Sequence, residues 1–407
     1  MLTLQSTQGN HLRTRKPSLE QLKLMKNMSS RAELFKQNIS FKAIHLIQLN
    51  LPQRNTFKSG IGIRKSREAL VIMWEDQNGT KGYGECSCRP DPYYSDEFTE
   101  GAMALVNKFI IPFLKKNQTF GDLFHLLNKI RGWNFTKAAV EAAALQVIEK
   151  NTDISPFAMM ANKPLTEVPV GISLGLYSDL DEMKKVVQDA LYTGYRRLKF
   201  KISPEVRTDF FDSINPLLFE ADTYVSFDAN GSFGENDLET LGYFVNTYNS
   251  MIEQPFAPSR FDVLLKGKQK YPSLFICFDE EIKSIGDLIK LHQLGVLDEV
   301  NLKVGRVGGI INSLEIINYC EKHNIPCWIG GMFETGIGRM LNLRMASYLP
   351  EARAHDLSPS DRYFVEDIIQ PGVQMHEGRV DIKSLGNCKI DTALVEKYTI
   401  DKHIITI

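Results

Sequence analysis

The chain has 407 residues, 43% apolar and 24% charged, which excludes a disordered chain, a fibrous repeat and a disulfide scaffold. Lys and Arg number 48 against 49 Asp and Glu, a formal net charge of -1, so the overall basic footprint of nucleic-acid binding is missing. No apolar run approaches the roughly 18 residues of a membrane span, and the six cysteines (Cys86, Cys88, Cys277, Cys320, Cys327, Cys388) form no CxxC pair, which reads as reduced thiols in a cytoplasmic protein.

Residues 1–38 hold only Glu20 and Glu33 as acids amid Lys, Arg, Ser, Thr and Asn. They lack the apolar core of a secretory signal and are predicted to be an arm outside the fold. Residues 39–165 begin with strand-like segments at Ser40–Leu51, Ala69–Glu75 and Gly82–Cys88, the last two joined by a turn at Gln77-Asn78-Gly79. Helices follow at Glu97–Leu114, Thr119–Arg131 and Phe135–Glu149, where Ala138, Ala142, Leu145 and Ile148 share a face. Strands followed by a run of helices predict a separate α+β unit.

Residues 166–363 change to regular alternation. Short β-branched and aromatic runs start near Val168, Arg196, Thr223, Tyr248, Ser273, Glu299, Ile325 and Arg353, at intervals of 28, 27, 25, 25, 26, 26 and 28 residues. Segments of helical period lie between them, as at Leu180–Thr193 and Ile310–His323. Eight strands with crossover helices predict an α/β barrel of the TIM type, with a doubly wound open sheet as the alternative. Residues 364–407, with a hairpin-like turn at Glu377-Gly378, are predicted to return to the first domain.

Barrel enzymes carry catalytic groups at the C-terminal ends of strands. Those ends supply Lys199 and Lys201, then Asp228, Glu253 and Asp279 on three consecutive strands, then Lys303. Three hard oxygen ligands aimed at one point suit Mg²⁺, although Glu280 and Glu281 crowd the third position, and barrel-mouth acids also serve simply to pair with lysines. Lys199 and Lys201 leave the same face of their strand with Cα atoms about 6.7 Å apart. Repulsion of about 3 kcal/mol between their charges would bring one lysine of the pair from about 10.4 toward 8, where a general base works, unless a nearby carboxylate opposes it. Lys303 stands opposite them across the ring. Lysines on two walls with a cation between suggest abstraction of a proton next to a carboxylate, the charge building up as an enediolate.

The ordered motifs KFK, FDAN, IEQP, FDEE, LKVGRVGG, GGMFETGIGR and HDLSPSDRYF, with GYGECSCRPDPYYSDEF upstream, resemble the muconate-lactonizing branch of the enolase superfamily. Within it, the chain is similar to the group of o-succinylbenzoate synthases and N-succinylamino acid racemases over residues 39–375. The resemblance implies a modified (β/α)7β barrel under an α+β capping domain, with Asp228, Glu253 and Asp279 as ligands of Mg²⁺, or Mn²⁺ as a substitute. It also implies Lys201 as acid/base catalyst, Lys303 on the opposite face and Lys199 beside them. The implied reaction is dehydration of a cyclohexadiene carboxylate in menaquinone biosynthesis; racemisation of N-succinylamino acids uses the same residues. Gln146 and Val304 depart from the common Asp and Pro of the group, away from the chemistry.

Substrate contacts are expected from Ser173, Asn230, Gly331 and Met332. A basic stretch, Lys58, Arg64, Lys65 and Arg67, is expected to attract a small anionic carboxylate substrate, and Cys86 and Cys88 are candidates to line the pocket. The balanced surface allows a homo-oligomer. Two readings from other classes stay open at this stage, a Schiff-base aldolase or lyase using the strand-end lysines and a non-catalytic binding barrel.

Overall fold

The structure is a computed structural model. It describes residues 19–59, 62–114, 118–160, 162–221, 223–350 and 353–406, with side chains omitted for 19–26, 55–59 and 62–64. Helix α1 spans Leu19–Phe35 and leads to the short β1, Asn38–Ile39. The long strands β2, Ala43–Ser59, and β3, Gly62–Glu75, form an antiparallel ladder continued by β4, Lys81–Cys86. Helical segments follow: α2, Thr99–Leu105, a π-helical turn at Val106–Ile110, and α3, Ile111–Leu114. Strand β5, Gln118–Thr119, pairs with β1 and runs into α4, Phe120–Lys129. A reciprocal cap between Thr119 and Asp122 starts α4 by satisfying amide donors that the first turn leaves open. Helix α5, Asn134–Thr152, lies across the sheet, and its small alanines let β4 approach so closely that a Cβ at Gly84 would stand 1.9 Å from the Ala139 carbonyl.

The expectation that residues 1–38 stand outside the fold fails for the stretch approaching β2. Leu34 is buried in the main core, Phe35 packs edge-on against Phe120 at 5.6 Å, and the Gln37 carbonyl accepts from the Phe120 amide. Two apolar residues at the end of a polar helix anchor it, too few to leave a period in the sequence. Residues 1–18 lie outside the described residues.

The predicted strand at Val168 splits in two. Strand β6, Glu167–Pro169, pairs antiparallel with a strand near the C-terminus, while β7, Ile172–Leu174, opens the barrel. Six further βα units follow: β8, Arg197–Lys201, after α6, Leu180–Tyr192; β9, Tyr224–Asp228, after α7, Thr208–Glu220; and β10, Ile252–Glu253, after α8, Leu238–Tyr248. Helix α9, Phe261–Lys270, precedes β11, Ile276–Phe278; α10, Ile285–Gln293, precedes β12, Glu299–Leu302; and α11, Ile310–His323, precedes β13, Cys327–Ile329. Helix α12, Gly336–Ala346, completes the seventh unit. Strands β7 to β13 are parallel neighbours in sequence order. The eighth segment closes the ring by hydrogen bonds alone: His355 bridges Val170, its carbonyl accepts from the Gly171 amide, and the Asp356 amide donates to Ile329.

The chain then leaves the barrel through β14, Ile369–Gln370, β15, Arg379–Asp381, which pairs with β6, and β16, Lys389–Ile390, which pairs with β14. Helix α13, Thr392–Tyr398, and β17, Thr399–Thr406, finish it. Strand β17 lies antiparallel to β2 at the edge of the cap sheet. The architecture is a modified (β/α)7β TIM-type barrel with an α+β capping domain, and one apolar cluster runs from Ile44 and Trp74 of the cap to Leu302 and Ile317 of the barrel. Among the described residues no helix is long and apolar enough to cross a membrane.

Candidate active site

Parallel pairing sets the site. Asp228 lies beside both Lys201 and Glu253 in the strand register, and Glu253 lies beside Cys277, two residues before Asp279. Period-two alternation therefore points Lys199, Lys201, Asp228, Glu253, Asp279 and Lys303 into the mouth of the barrel. Lys199, Lys201, Asp228 and Lys303 line a cavity of about 140 Å³ between barrel and cap, together with Ser173, Asn230, Gly331 and Met332. Glu253 and Asp279 sit behind its wall, fully buried.

Charge pairing in the site is dense. Lys199 lies 2.5 Å from Asp356, 2.6 Å from Glu253 and 3.3 Å from Asp228. Lys201 lies 2.6 Å from Asp228 and donates to Asn230. Lys303 is 2.7 Å from Asp279, whose other oxygen is 3.2 Å from Arg306. The Asn301 amide donates to Glu253 at 2.7 Å, and the Gln254 side chain accepts from the Asp279 and Glu281 amides. Asn230, Gln254 and Phe333 hold left-handed backbone at φ 44°, 38° and 55°, conformations that persist where surrounding contacts enforce them.

These contacts correct the expectation for the KFK pair as it applies to Lys199. Burial pulls the Lys199 ammonium down, but Asp356, Glu253 and Asp228 outweigh burial and hold it well above the ordinary lysine value. Lysine–lysine repulsion is overridden by carboxylates from three other strand ends. Burial likewise raises Asp228 and Asp279, yet Lys201 and Lys199 hold the first below the usual carboxylate range, and Arg306 with Lys303 does so for the second. Glu253 goes the other way, pushed up to about 8 by burial and by Asp228.

Among the described residues no three His, Cys, Asp or Glu side chains converge as they would on one metal ion; the ammonium groups stand among the acids. The donor chemistry still fits a divalent cation. Asp228, Glu253 and Asp279 are buried hard-oxygen donors on adjacent strands that raise one another's proton affinity, and Glu280 Oε2 is buried without a hydrogen bond among the described residues. Such a set is relieved by added positive charge.

Several lining groups carry no sequence-derived role. Asp356 joins Lys199 to the fully buried Arg197, which stacks on Trp328 at 3.8 Å. Tyr94 reaches from the cap, its hydroxyl accepting from Lys303 at 3.1 Å and from Arg306. Arg89 and Arg339 add positive charge to the cavity wall. The quoted motifs contain Asp356, Tyr94, Arg89 and Arg339, but their partners lie on other elements, so spacing offered no signal. Of the expected basic stretch, Arg67 reaches the cavity and Lys65 is exposed; the side chains of Lys58 and Arg64 lie outside the described residues. Cys86 and Cys88 turn into the core, Sγ to Sγ 3.5 Å with Cys86 near Thr136, not toward the cavity. Gly331 is fixed by space, since a Cβ there would meet the Asp356 carbonyl at 2.5 Å. Gln146, one of the departures from the group, bonds the Tyr83 backbone through both its amide atoms.

The family description "Enolase C-terminal domain-like" matches residues 182–386. An o-succinylbenzoate synthase of Listeria innocua is 31% identical over 364 residues, 88% of this chain and 96% of that protein, and one of Bacillus subtilis is 29% identical over 379 residues, 90% and 99%. An N-succinylamino acid racemase of Amycolatopsis sp is 31% identical over 341 residues, 82% and 90%. Among solved structures, an enolase superfamily member from Listeria innocua superposes with TM-score 0.81 at 30% identity, covering 90% of this chain and 99% of that one. A muconate lactonizing enzyme from Pseudomonas fluorescens, at 20% identity and TM-score 0.78 over 88% and 99% of the two chains, shares the fold. With two lysine-bearing walls, three acids on the strands between them and this similarity along most of its length, the chain belongs to the enolase superfamily.

Proposed function

We propose that the protein removes an α-proton next to a substrate carboxylate, and that its reaction is the dehydration that forms o-succinylbenzoate, in the cytoplasm. The observation that carries this reading is the placement of Lys201 and Lys303 on opposite sides of a cavity whose wall also presents Asp228, with Glu253 and Asp279 behind it. Asp228, Glu253 and Asp279 would hold Mg²⁺, which when bound supplies positive charge to the carboxylate oxygens as the enediolate develops. Lys201 takes the α-proton and returns it to the departing hydroxyl from the same face. Asn230 and Asp228 orient the Lys201 amine. Lys303, held by Asp279 and Tyr94, places a fixed cation on the other face, where it stabilises the anion. The arginines at the cavity wall favour a small carboxylate substrate.

N-succinylamino acid racemisation is the second reading, favoured by the same opposed lysines, each serving one face. A Schiff-base mechanism makes no use of acids on three consecutive strands beside the lysines, whereas Asp228, Glu253 and Asp279 each stand against a lysine of the site. Incubating the purified protein and Mg²⁺ with each substrate separates the two main readings. Ultraviolet absorbance of an aromatic product is expected; rapid racemisation without it would overturn the synthase reading, and activity that survives EDTA would overturn the metal-assisted one.

A further inference from the structure

Seven barrel strands are each followed by a helix, but the closing segment at His355–Asp356 is followed only by the turn Ser360–Arg362 before the chain crosses to the cap. No eighth helix therefore packs beside α6 next to β7. A hollow of about 660 Å³ lies there, between α6, the loop 175–178 and the Arg362 turn. It meets the active-site cavity along Gln53, Ser173, Phe333 and Tyr363, which line both.

The chemistry of the hollow is specific. The half-buried Arg362 guanidinium makes no hydrogen bond or ion pair among the described residues; it lies 6.0 Å from the centroid of the Tyr363 ring. The phenols of Tyr177 and Tyr195 line the same space, and burial pushes both up, Tyr177 to about 12, against the opposing charge of Arg362. Both are therefore neutral hydroxyls near neutral pH. Exposed acids, Glu182 and Asp189, stand on the α6 side of the hollow. A guanidinium without a carboxylate partner, beside phenol groups, is a receptor for a carboxylate, and the acids on α6 disfavour an anion arriving from solvent.

We propose that this hollow is a side chamber of the active site that receives the distal carboxylate of the substrate's flexible acyl arm, with Arg362 as its partner. The inference rests on the reading of the site as one for an α-proton next to a carboxylate, and it adds the part of the substrate that reading leaves unplaced. The reacting end stays between Lys201 and Lys303, while the arm passes Ser173 and Tyr363 into the chamber. Arg362 then acts on binding and specificity and has no part in the proton transfers.

The test compares wild type, Arg362→Gln, Arg362→Lys and Val186→Phe, the last narrowing the chamber from α6. Each is assayed by α-proton exchange on an N-succinyl and an N-acetyl derivative of one amino acid, and by calorimetric binding of o-succinylbenzoate and of benzoate. For Arg362→Gln, KM for the succinyl compound is expected to rise about tenfold, the loss of one charged hydrogen bond, with kcat and the acetyl compound nearly unchanged. Affinity for o-succinylbenzoate falls by the same factor and that for benzoate does not. Arg362→Lys recovers most of the loss, and Val186→Phe reproduces it without removing charge. Equal effects on both members of each pair, or none, overturn the chamber. If wild type exchanges neither compound, the α-proton reading fails, while the binding pair still decides the chamber: selective loss for o-succinylbenzoate upholds it, and no binding or no selectivity removes it.

Discussion

Lys199 is buried among three carboxylates, those of Asp228, Glu253 and Asp356. Removing it leaves the negative charge of nearly buried carboxylates without its partner, a class of change that costs about 3–5 kcal/mol. Lys199→Met is expected to lower unfolding free energy in urea by that order and to abolish activity. Lys201→Met removes an ammonium that retains some exposure, so it is expected to lose activity with a much smaller change in stability. Activity surviving in Lys201→Met would count against its role as the base. The alternation that places Lys199 and Lys201 together was legible in three letters of sequence. The state of Lys199 was not, because Asp356 and Arg197, which set it, pair across 159 positions of chain. Pairwise repulsion was the correct physics for the KFK strand alone; the neighbouring strands reversed its sign for Lys199.

Two carboxylates of the cap, the half-buried Glu85 and the buried Glu141, hold helices of the barrel. Glu85, on β4, accepts from the amides of Thr335 and Gly338 at the start of α12. Glu141, on α5, accepts from the amides of Ile310 and Ile311 at the start of α11. Each satisfies amide donors that a helix leaves open and faces the positive end of its dipole. Burial nevertheless pushes Glu85 to about 7 and Glu141 to about 8. A carboxyl whose folded pKa is raised binds more protons in the folded than in the unfolded protein, so stability falls as pH rises from about 4.5 through about 8. Thermal unfolding scans between pH 5 and 9 are expected to show that decline, and Glu141→Gln, which retains an acceptor for Ile310, is expected to flatten it. An unchanged slope in the variant would remove Glu141 as its source. Helix α11 was visible from its period over Ile310–His323, but a cap that arrives from another domain leaves no local mark.

At the scale of the molecule, the strand spacing carried the barrel because β7 to β13 are buried and alternate with helices at nearly constant length. The 17-residue helix α1 escaped it, as did the split of the first strand into β6 and β7, since Pro169 and Gly171 divide one apolar run between two sheets that only the folded chain defines. The cap sheet is completed from both ends of the sequence: Ala43 of β2 lies opposite Thr406 of β17. Removing residues 399–407 uncovers the edge of β2, whose Ile44, Leu46 and Leu49 are buried, and an exposed apolar edge promotes association. The truncated protein is expected to melt several degrees lower and to sediment partly as aggregate. A monomeric sample with unchanged Tm would show that β17 is dispensable.

That same pairing orders the life of the nascent chain. Strand β2 leaves the ribosome before every barrel strand and β17 after all of them, so the barrel strands can assemble while the roof over the barrel mouth still waits for the eight residues of β17. The cap sheet closes only after every strand of the barrel has been made, and a chain broken off before Thr399 would carry the lysines and acids of the site under a roof with an open edge.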